Sequence, residues 1–236
     1  MVSKCRQQVE EMTIAEIEPV NRESTAGIIA RQLRDAIAKG LLAPGVQVGE
    51  AALAAQFAVS RGPLREAMQR LVQEGLLRSE RHRGLFVVEL VADDVIDIYA
   101  ARTAVENAAV VAIMNGDREA AAARLDVPQR EMATAAARND PNGVSLADLR
   151  FHEVLVESSG SPRLVRMMGT LLIETQMCLH ALERTYDDVA ARVGEHEEII
   201  QAIRSGDITE VLTLLEAHMD DALRRLVPSE TTVSAS

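Results

Sequence analysis

Tryptophan is absent from this chain of 236 residues, and the aromatic residues together make up only 2% of it. The interior must therefore be filled by Leu, Ala, Val, Ile and Met, a composition that suits helices packed on helices. The two cysteines, Cys5 and Cys178, are far apart in sequence, which favours reduced thiols in the cytoplasm. No apolar run is long enough to span a bilayer, and residues 1–18 lack the pattern of a signal peptide. We therefore expect a helix-rich, cytoplasmic protein with no membrane partner.

Negative charge dominates the chain, but it is unevenly distributed. The net charge is −11, yet residues 1–90 carry 12 Lys and Arg against 11 Asp and Glu, whereas residues 91–236 carry 13 against 25. Six arginines and only three glutamates lie between Arg61 and Arg83. A local cationic region in an otherwise acidic chain indicates that one small part binds a polyanion, and the acidic part should lie away from it.

Residues 50–77 read EAALAAQFAVSRGPLREAMQRLVQEGLL, which predicts a short helix, a tight turn and a second helix. Ser60 is a favoured N-cap residue, and Pro63 suits the first turn. Arg61 and Arg65 are i,i+4 neighbours at the start of the second helix, where a helix that enters a DNA major groove presents its donors. The alternative is an ordinary surface helix. Arginines at a helix N-terminus oppose the helix dipole, however, so local stability does not account for them.

The pattern along the chain divides it into four parts: a flexible arm (1–22), a first domain (23–90), a helical second domain (91–227) and a disordered tail (228–236). In the first domain, a short hairpin is predicted over residues 76–79 and 85–89. The second domain shows only helical periodicity. Its helices are expected over about 93–115, 117–138, 142–159, 161–185, 187–205 and 207–226.

Four residues of the second domain have spacings that suit a metal site. Asp148 and His152 are i,i+4 and share one helix face. His196 and His218 lie on consecutive helices, roughly 15 and 18 Å from the turn at Gly206, and therefore at nearly the same level of an antiparallel pair. Three imidazoles and one carboxylate would then converge. The spacing alone leaves two alternatives open, a solvated Asp–His pair and histidines that only pack in the core.

Several stretches together carry a resemblance to a known family. IAKGLLAPGVQVGEAALAAQFAVSRGPLREAMQRLVQEGLL, followed by RHRGLFVVEL, closely resembles the winged helix-turn-helix of GntR-family bacterial transcription regulators. IYAARTAVE at 98–106, DLRFHEVLVESSGSPRLVRMM at 148–168 and EHEEIIQAIRSGDITEVLTLLEAHM at 195–219 resemble the FCD ligand-binding domain of its FadR subfamily. The resemblance implies a mostly α fold, in which an N-terminal winged helix-turn-helix with a short β-hairpin wing precedes a C-terminal all-α helical bundle.

The resemblance also implies site residues. The DNA contacts would come from the second helix of the reading unit and from the wing: Ser60, Arg61, Gly62, Arg65, Arg83 and Gly84. The metal-containing branch of the FCD domain binds a divalent cation through residues that match Asp148, His152, His196 and His218. Zn²⁺ is the leading candidate, and Ni²⁺, Mn²⁺, Co²⁺ or Fe²⁺ would also suit this mixed set of nitrogen and oxygen ligands. Ala51 departs from the pattern, because the fatty-acid-responsive type member has an arginine there.

Arg102 and Glu106 match the R-x-x-x-E pattern of the family, which would place them at an effector acid. The alternative for this pair is an intrahelical ion pair worth a few tenths of a kcal/mol. We therefore expect a homodimeric, metabolite-responsive repressor that binds operator DNA, a divalent metal and a small carboxylate effector. Two alternatives are a metal sensor, in which the cation is the signal, and a metal-dependent hydrolase, for which Glu153, Glu195 and Glu197 are the neighbouring carboxylates. The expected repressor would not be an enzyme.

Overall fold

The computed structural model describes residues 23–181 and 189–227, except for the side chains of residues 180, 181 and 189–191. The predicted arm, the predicted tail and part of two predicted helices therefore lie outside the described residues. In chain order, the elements are α1 (Thr25–Ala38), β1 (Gln47–Val48), α2 (Glu50–Gln56), α3 (Arg61–Gln73), β2 (Leu77–Glu80), β3 (Gly84–Val87), α4 (Ala92–Met114), α5 (Arg118–Ala137), α6 (Pro141–Ser158), α7 (Pro162–Ala181), α8 (Val189–Ser205) and α9 (Ile208–Leu226). The predicted fold class is confirmed.

The N-terminal part, which we call the head, packs α1–α3 against a three-stranded antiparallel sheet of order β1-β3-β2. The predicted hairpin forms, but β3 begins at Gly84 because the chain reverses through His82 and Gly84, which both have positive φ angles of 65° and 104°. Strand β1 was not predicted from the sequence. It has only two residues and depends on its pairing with β3, in which Gln47 faces Phe86.

Short polar caps fix where the helices begin. Ser24 accepts a hydrogen bond from the Gly27 amide at the start of α1, and Asp117, Asp140 and Asp207 accept comparable bonds at the starts of α5, α6 and α9. Each cap satisfies an amide that has no partner within the helix. Because the caps are local, the starts of α5, α6 and α9 lie within a residue or two of the predicted positions 117, 142 and 207.

The C-terminal part, which we call the bundle, is built around α4. This helix packs against α6, α7 and α9, while α5 packs against α6 and α8. Apolar residues of α4 at helical spacing are buried: Val95, Ile98, Tyr99, Val105, Ala109 and Ile113. In the described part of the chain, no helix is long and apolar enough to cross a membrane.

Head and bundle share a contact through α7. Met177 is 5% exposed and belongs to the apolar core of the head, while the next residue, Cys178, is 2% exposed and belongs to the core of the bundle. Leu90, between β3 and α4, packs against both cores. One helix of the bundle is therefore in direct contact with each half of the protein.

Candidate metal centre and nucleic-acid interface

Asp148, His152, His196 and His218 meet in the interior of the bundle, and we call them the Asp–His cluster. One ligand atom of each residue lies within 4.8 Å of the ligand atoms of the other three. The first two come from α6, and the others come from α8 and α9. All four are buried: His152 and His196 are inaccessible to solvent, while His218 and Asp148 are 6% and 7% exposed. The structure therefore brings together the four residues that the sequence predicted.

The hydrogen bond of His196 fixes which of its ring nitrogens carries the proton. Nδ1 lies 2.8 Å from the main-chain oxygen of Arg192, one helical turn earlier on α8. A carbonyl oxygen only accepts, so Nδ1 is the donor, and Nε2 of the neutral ring carries a lone pair. That Nε2 is buried and makes no hydrogen bond. Its neighbour at 3.3 Å is Oδ1 of Asp148, which is also an acceptor.

The other two histidines are oriented in the same way by carboxylates. Nδ1 of His152 lies 2.6 Å from Oε2 of Glu106, and Nδ1 of His218 lies 2.7 Å from Oε2 of Glu195. Both Nε2 atoms then face inward as acceptors, only 3.1 Å from each other. Two facing lone pairs repel unless a proton or a cation lies between them. The orphaned Nε2 of His196 and this inward-facing pair fit a bound cation.

The electrostatics keep the carboxylates of the site ionised. Burial raises the pKa of Asp148, but His196, His152 and the Arg192 guanidinium together lower it well below its ordinary value. Burial likewise opposes the ionisation of Glu106, yet His152 and the Arg102 guanidinium lower its pKa overall. An ionised carboxylate that is buried among three imidazoles attracts a cation.

Burial also lowers the pKa of His218, to about 4, although the hydrogen bond to Glu195 acts in the opposite direction. That hydrogen bond lowers the pKa of Glu195. His218 is therefore neutral near pH 7, the form in which an imidazole binds a metal.

Arg102 and Glu106 lie beside the cluster and are buried, with 2% and 0% exposure. Nε and Nη2 of Arg102 donate to Oε1 of Glu106 at 3.2 and 3.1 Å, while Oε2 of Glu106 bonds His152. The pair is thus an intrahelical ion pair, the alternative considered from the sequence. It is buried, however, and it is connected to a cluster histidine. The cluster contact of Glu106 is 46 residues distant in sequence, and no spacing in the sequence indicated it.

Two supporting groups were not identified from the sequence. The sequence indicates Glu195 only as a neighbouring carboxylate, but this residue of α8 bonds His218 of α9. The second group is the main-chain oxygen of Arg192, which bonds Nδ1 of His196. Its i−4 position relative to His196 was an available signal, because that carbonyl faces the side chain one turn later on a helix.

In the head, α3 presents the predicted DNA-contacting residues to solvent. Ser60 occupies the N-cap position without a side-chain cap hydrogen bond, and Arg61 is exposed. Arg65 is 67% exposed, and its Nε donates to both carboxylate oxygens of Glu50 on α2 at 2.9 Å. A Cβ atom built on Gly62 would meet nothing within 4 Å, so that backbone is open to approach from outside.

The hairpin of β2 and β3, which we call the wing, presents a second cationic surface. Arg83 is 69% exposed, forms an ion pair with Glu80 and places its guanidinium carbon 5.1 Å from the ring centre of Phe86. Gly84, at the start of β3, has a φ angle of 104°, which a residue with a side chain rarely adopts. Helix α3 and the wing therefore both expose guanidinium groups, as a surface for phosphates requires.

Comparisons with known proteins agree with this architecture. The model of the FCD domain matches residues 97–221, and that of bacterial regulatory proteins of the gntR family matches residues 25–87. The gluconate operon transcriptional repressor of Bacillus licheniformis is 29% identical, over 86% of this chain and 85% of its own length. The probable D-xylose utilization operon transcriptional repressor of Paenarthrobacter nicotinovorans is 30% identical, over 81% and 85%. The crystal structure of a GntR protein from Rhodococcus sp. RHA1 superimposes with a TM-score of 0.75 at 28% identity, covering 87% of this chain and 99% of the other.

Proposed function

The chain belongs to the GntR family of bacterial regulatory proteins, in the group with a C-terminal FCD domain, and we propose that it is a metabolite-responsive repressor of transcription. Members of this family are DNA-binding regulators of transcription, so that general function follows from membership. The finer proposal concerns the bundle. It binds a divalent cation and a small organic acid, and the acid changes how tightly the head holds operator DNA.

One observation carries the finer proposal: three imidazole Nε2 atoms and a carboxylate oxygen converge on one buried point, and each Nδ1 is already occupied. If these histidines only filled the core, nothing would favour an arrangement in which three lone pairs face one another. Asp148, His152, His196 and His218 would hold the cation, with Zn²⁺ as the leading candidate. When bound, the cation would supply a positive charge to which a carboxylate oxygen is attracted.

Arg102 is our candidate for a second contact with the acid. It is a buried cation that lies beside the cluster, and its guanidinium has donors beyond the two that bond Glu106. Glu106 itself is held by His152, which supports a role in orienting that ring rather than in touching the acid. The operon names of the relatives refer to an acid, gluconate, and to a neutral sugar, D-xylose, so they do not define the effector of this chain.

We propose that the working unit is a homodimer that presents two copies of α3 to a roughly palindromic operator. Arg61, Arg65 and Gly62 would enter the major groove or lie against its phosphates, and Arg83 with Gly84 would contact the backbone from the wing. The body of the protein is acidic, with 13 Lys and Arg against 25 Asp and Glu over residues 91–236. It would therefore lie away from DNA.

The two other functions make different demands on the same site. A hydrolase needs a free carboxylate beside the metal, but Glu195 bonds His218, Glu153 pairs with Arg150 and Glu197 bonds Gln201. A metal sensor needs the cation alone to change DNA affinity. We therefore favour the effector-responsive repressor. Measuring operator affinity with metal alone and with metal plus acid distinguishes it from the metal sensor.

The test of the proposal uses DNA selected from a random pool by the full-length protein, so that no operator has to be assumed. Elemental analysis and native mass spectrometry of freshly purified protein should show a dimer with one metal per chain. Operator affinity is then measured by fluorescence anisotropy with metal alone and with metal plus candidate carboxylates. A change in affinity only with the acid supports the proposal, and a full change with metal alone supports the sensor. Protein without metal, unaffected by any added cation, would contradict both.

Replacement of Arg65 by alanine tests the reading role of α3. We expect operator binding to weaken by about 1–3 kcal/mol, with loss of discrimination at one base pair. Arg31→Ala is the matched control, because Arg31 is also an exposed head arginine in an ion pair, with Glu23, but lies on α1. Equal effects of the two substitutions would assign Arg65 a purely electrostatic contribution and would contradict base reading.

A further inference from the structure

Two of the three cluster histidines are each bonded to a glutamate that is itself paired with an arginine. His152 bonds Glu106, and Glu106 in turn accepts hydrogen bonds from Arg102 at 3.1 and 3.2 Å. On the other side, His218 bonds Glu195, whose second carboxylate oxygen lies 3.6 Å from Nη2 of Arg225. The site is thus held between two Arg–Glu–His chains. Both present a carboxylate to Nδ1.

The two chains differ in their exposure. Arg102 and Glu106 are sealed in the bundle, with side chains 2% and 0% exposed. Glu195 and Arg225 are each 29% exposed. His218 itself keeps 6% exposure, whereas His152 keeps none. Of the two chains, the one through Glu195 is therefore the solvent-facing edge.

The chemistry of a carboxylate on Nδ1 is specific. It keeps the proton on that nitrogen, fixes the rotation of the ring and makes Nε2 a better donor of its lone pair to a cation. At the solvent-facing edge these constraints matter most, because a ring without a partner could turn outward and bond water. Glu195 and His218 lie on different helices, α8 and α9, and Arg225, which also pairs with Asp221, is near the end of α9. The contact therefore ties together the two helices that supply His196 and His218.

We propose that Glu195 is the positioning residue of His218 and that, held by Arg225, it sets the affinity of the cluster for its cation at the exposed edge. This inference rests on the proposed metal site, but it assigns a role to a residue that the site itself does not require. A purely structural reading is that the Glu195–His218 bond only joins two helices. That reading predicts a loss of stability without a change in metal affinity.

Titration of metal-free protein with Co²⁺, whose visible absorption reports its ligands, separates the two readings. Glu195→Ala should weaken Co²⁺ binding about 10–100-fold and should alter the absorption bands. Glu195→Gln should weaken it less, because the amide oxygen still accepts from Nδ1 but carries no charge. Glu197→Gln is the matched control, because Glu197 is an exposed neighbour on α8 that bonds Gln201, and it should bind Co²⁺ like the unmodified protein.

The outcomes distinguish this inference from the metal site itself. Failure of the unmodified protein to bind Co²⁺ would overturn the proposed metal site and the inference together. Tight binding by the unmodified protein and equally tight binding, with the same absorption, by Glu195→Gln and Glu195→Ala would overturn the inference alone. Circular dichroism of each metal-free variant at the titration temperature verifies that it is folded. If Glu195→Ala is not folded, Glu195→Gln, which keeps the hydrogen bond, decides the question.

Discussion

Removal of metal should lower the thermal stability of the bundle, and its return should restore it. Nε2 of His196 is buried without a hydrogen bond, and Nε2 of His152 and Nε2 of His218 face each other at 3.1 Å. A buried polar atom without a partner costs about 1–3 kcal/mol. A cation that binds the assembled cluster relieves this cost, and it stabilises the folded state because the unfolded chain has no such arrangement of ligands.

The magnitude follows from mass action. At a free metal concentration about 100 times the Kd, binding to the folded state adds about 2.7 kcal/mol. For chains of this size, each kcal/mol raises Tm by about 2–4 °C, so a gain of about 5–11 °C is expected. The assay is thermal unfolding followed by circular dichroism at pH 7.5, with protein stripped by a chelator and then titrated with Zn²⁺. Tm should continue to rise with the logarithm of the free metal concentration.

Two variants make the result specific. His196→Ala removes one ligand and should lose most of the gain in Tm. His82→Asn is the matched control, because it also removes a histidine but lies in the turn between β2 and β3, outside the bundle, at a positive φ angle that asparagine tolerates. The reasoning is refuted if Zn²⁺, Ni²⁺, Mn²⁺, Co²⁺ and Fe²⁺ all leave Tm unchanged, or if His196→Ala gains as much as the unmodified protein.

Three further predictions concern His218, Gly62 and Met177. Burial lowers the pKa of His218 to about 4, against about 6.5 when unfolded, so between these values only the unfolded state binds the proton. Metal-free protein should therefore lose up to about 3 kcal/mol as the pH falls from 6.5 to 4, and a flat profile of urea unfolding against pH would contradict this. Gly62→Ala should leave the head folded, or up to about 1 kcal/mol more stable, yet weaken operator binding about tenfold or more, and unchanged anisotropy titrations would argue against close approach of DNA. Met177→Ala should cost about 2–5 kcal/mol of head–bundle packing and speed limited proteolysis near residues 88–92, unlike the control Val165→Ala at an exposed position of the same helix.

The parts of the fold that were predictable are those with local causes. Ser24, Asp140 and Asp207 cap helices through bonds that span two or three residues, so their positions can be read from the chain. The i,i+4 relation of Asp148 and His152 is equally local. The convergence of His196 with His218 was predictable because both are measured from one turn at Gly206, which keeps their levels matched.

The parts that were not predictable depend on contacts between distant segments. Strand β1 exists only through its pairing with β3, some 38 residues later in the chain. Glu106 reaches His152 across 46 residues, and Glu195 reaches His218 across 23. A carboxylate beside an imidazole has no signature in sequence spacing unless both lie on one helix. Supporting residues of a buried site are therefore harder to identify than its ligands.

A physical route for regulation requires an element that contacts both the sensing and the reading half, and α7 is such an element. Met177 lies in the core of the head and Cys178 in the core of the bundle, so a displacement of α7 by the proposed ligand would alter the packing beneath α3. Typical couplings of about 1–3 kcal/mol would change operator affinity about 5- to 150-fold. Coupling of this kind is reciprocal, so operator DNA must change the affinity for the acid by the same factor. If calorimetry showed equal acid affinity with and without DNA, transmission through α7 would be excluded, whatever the acid does to transcription.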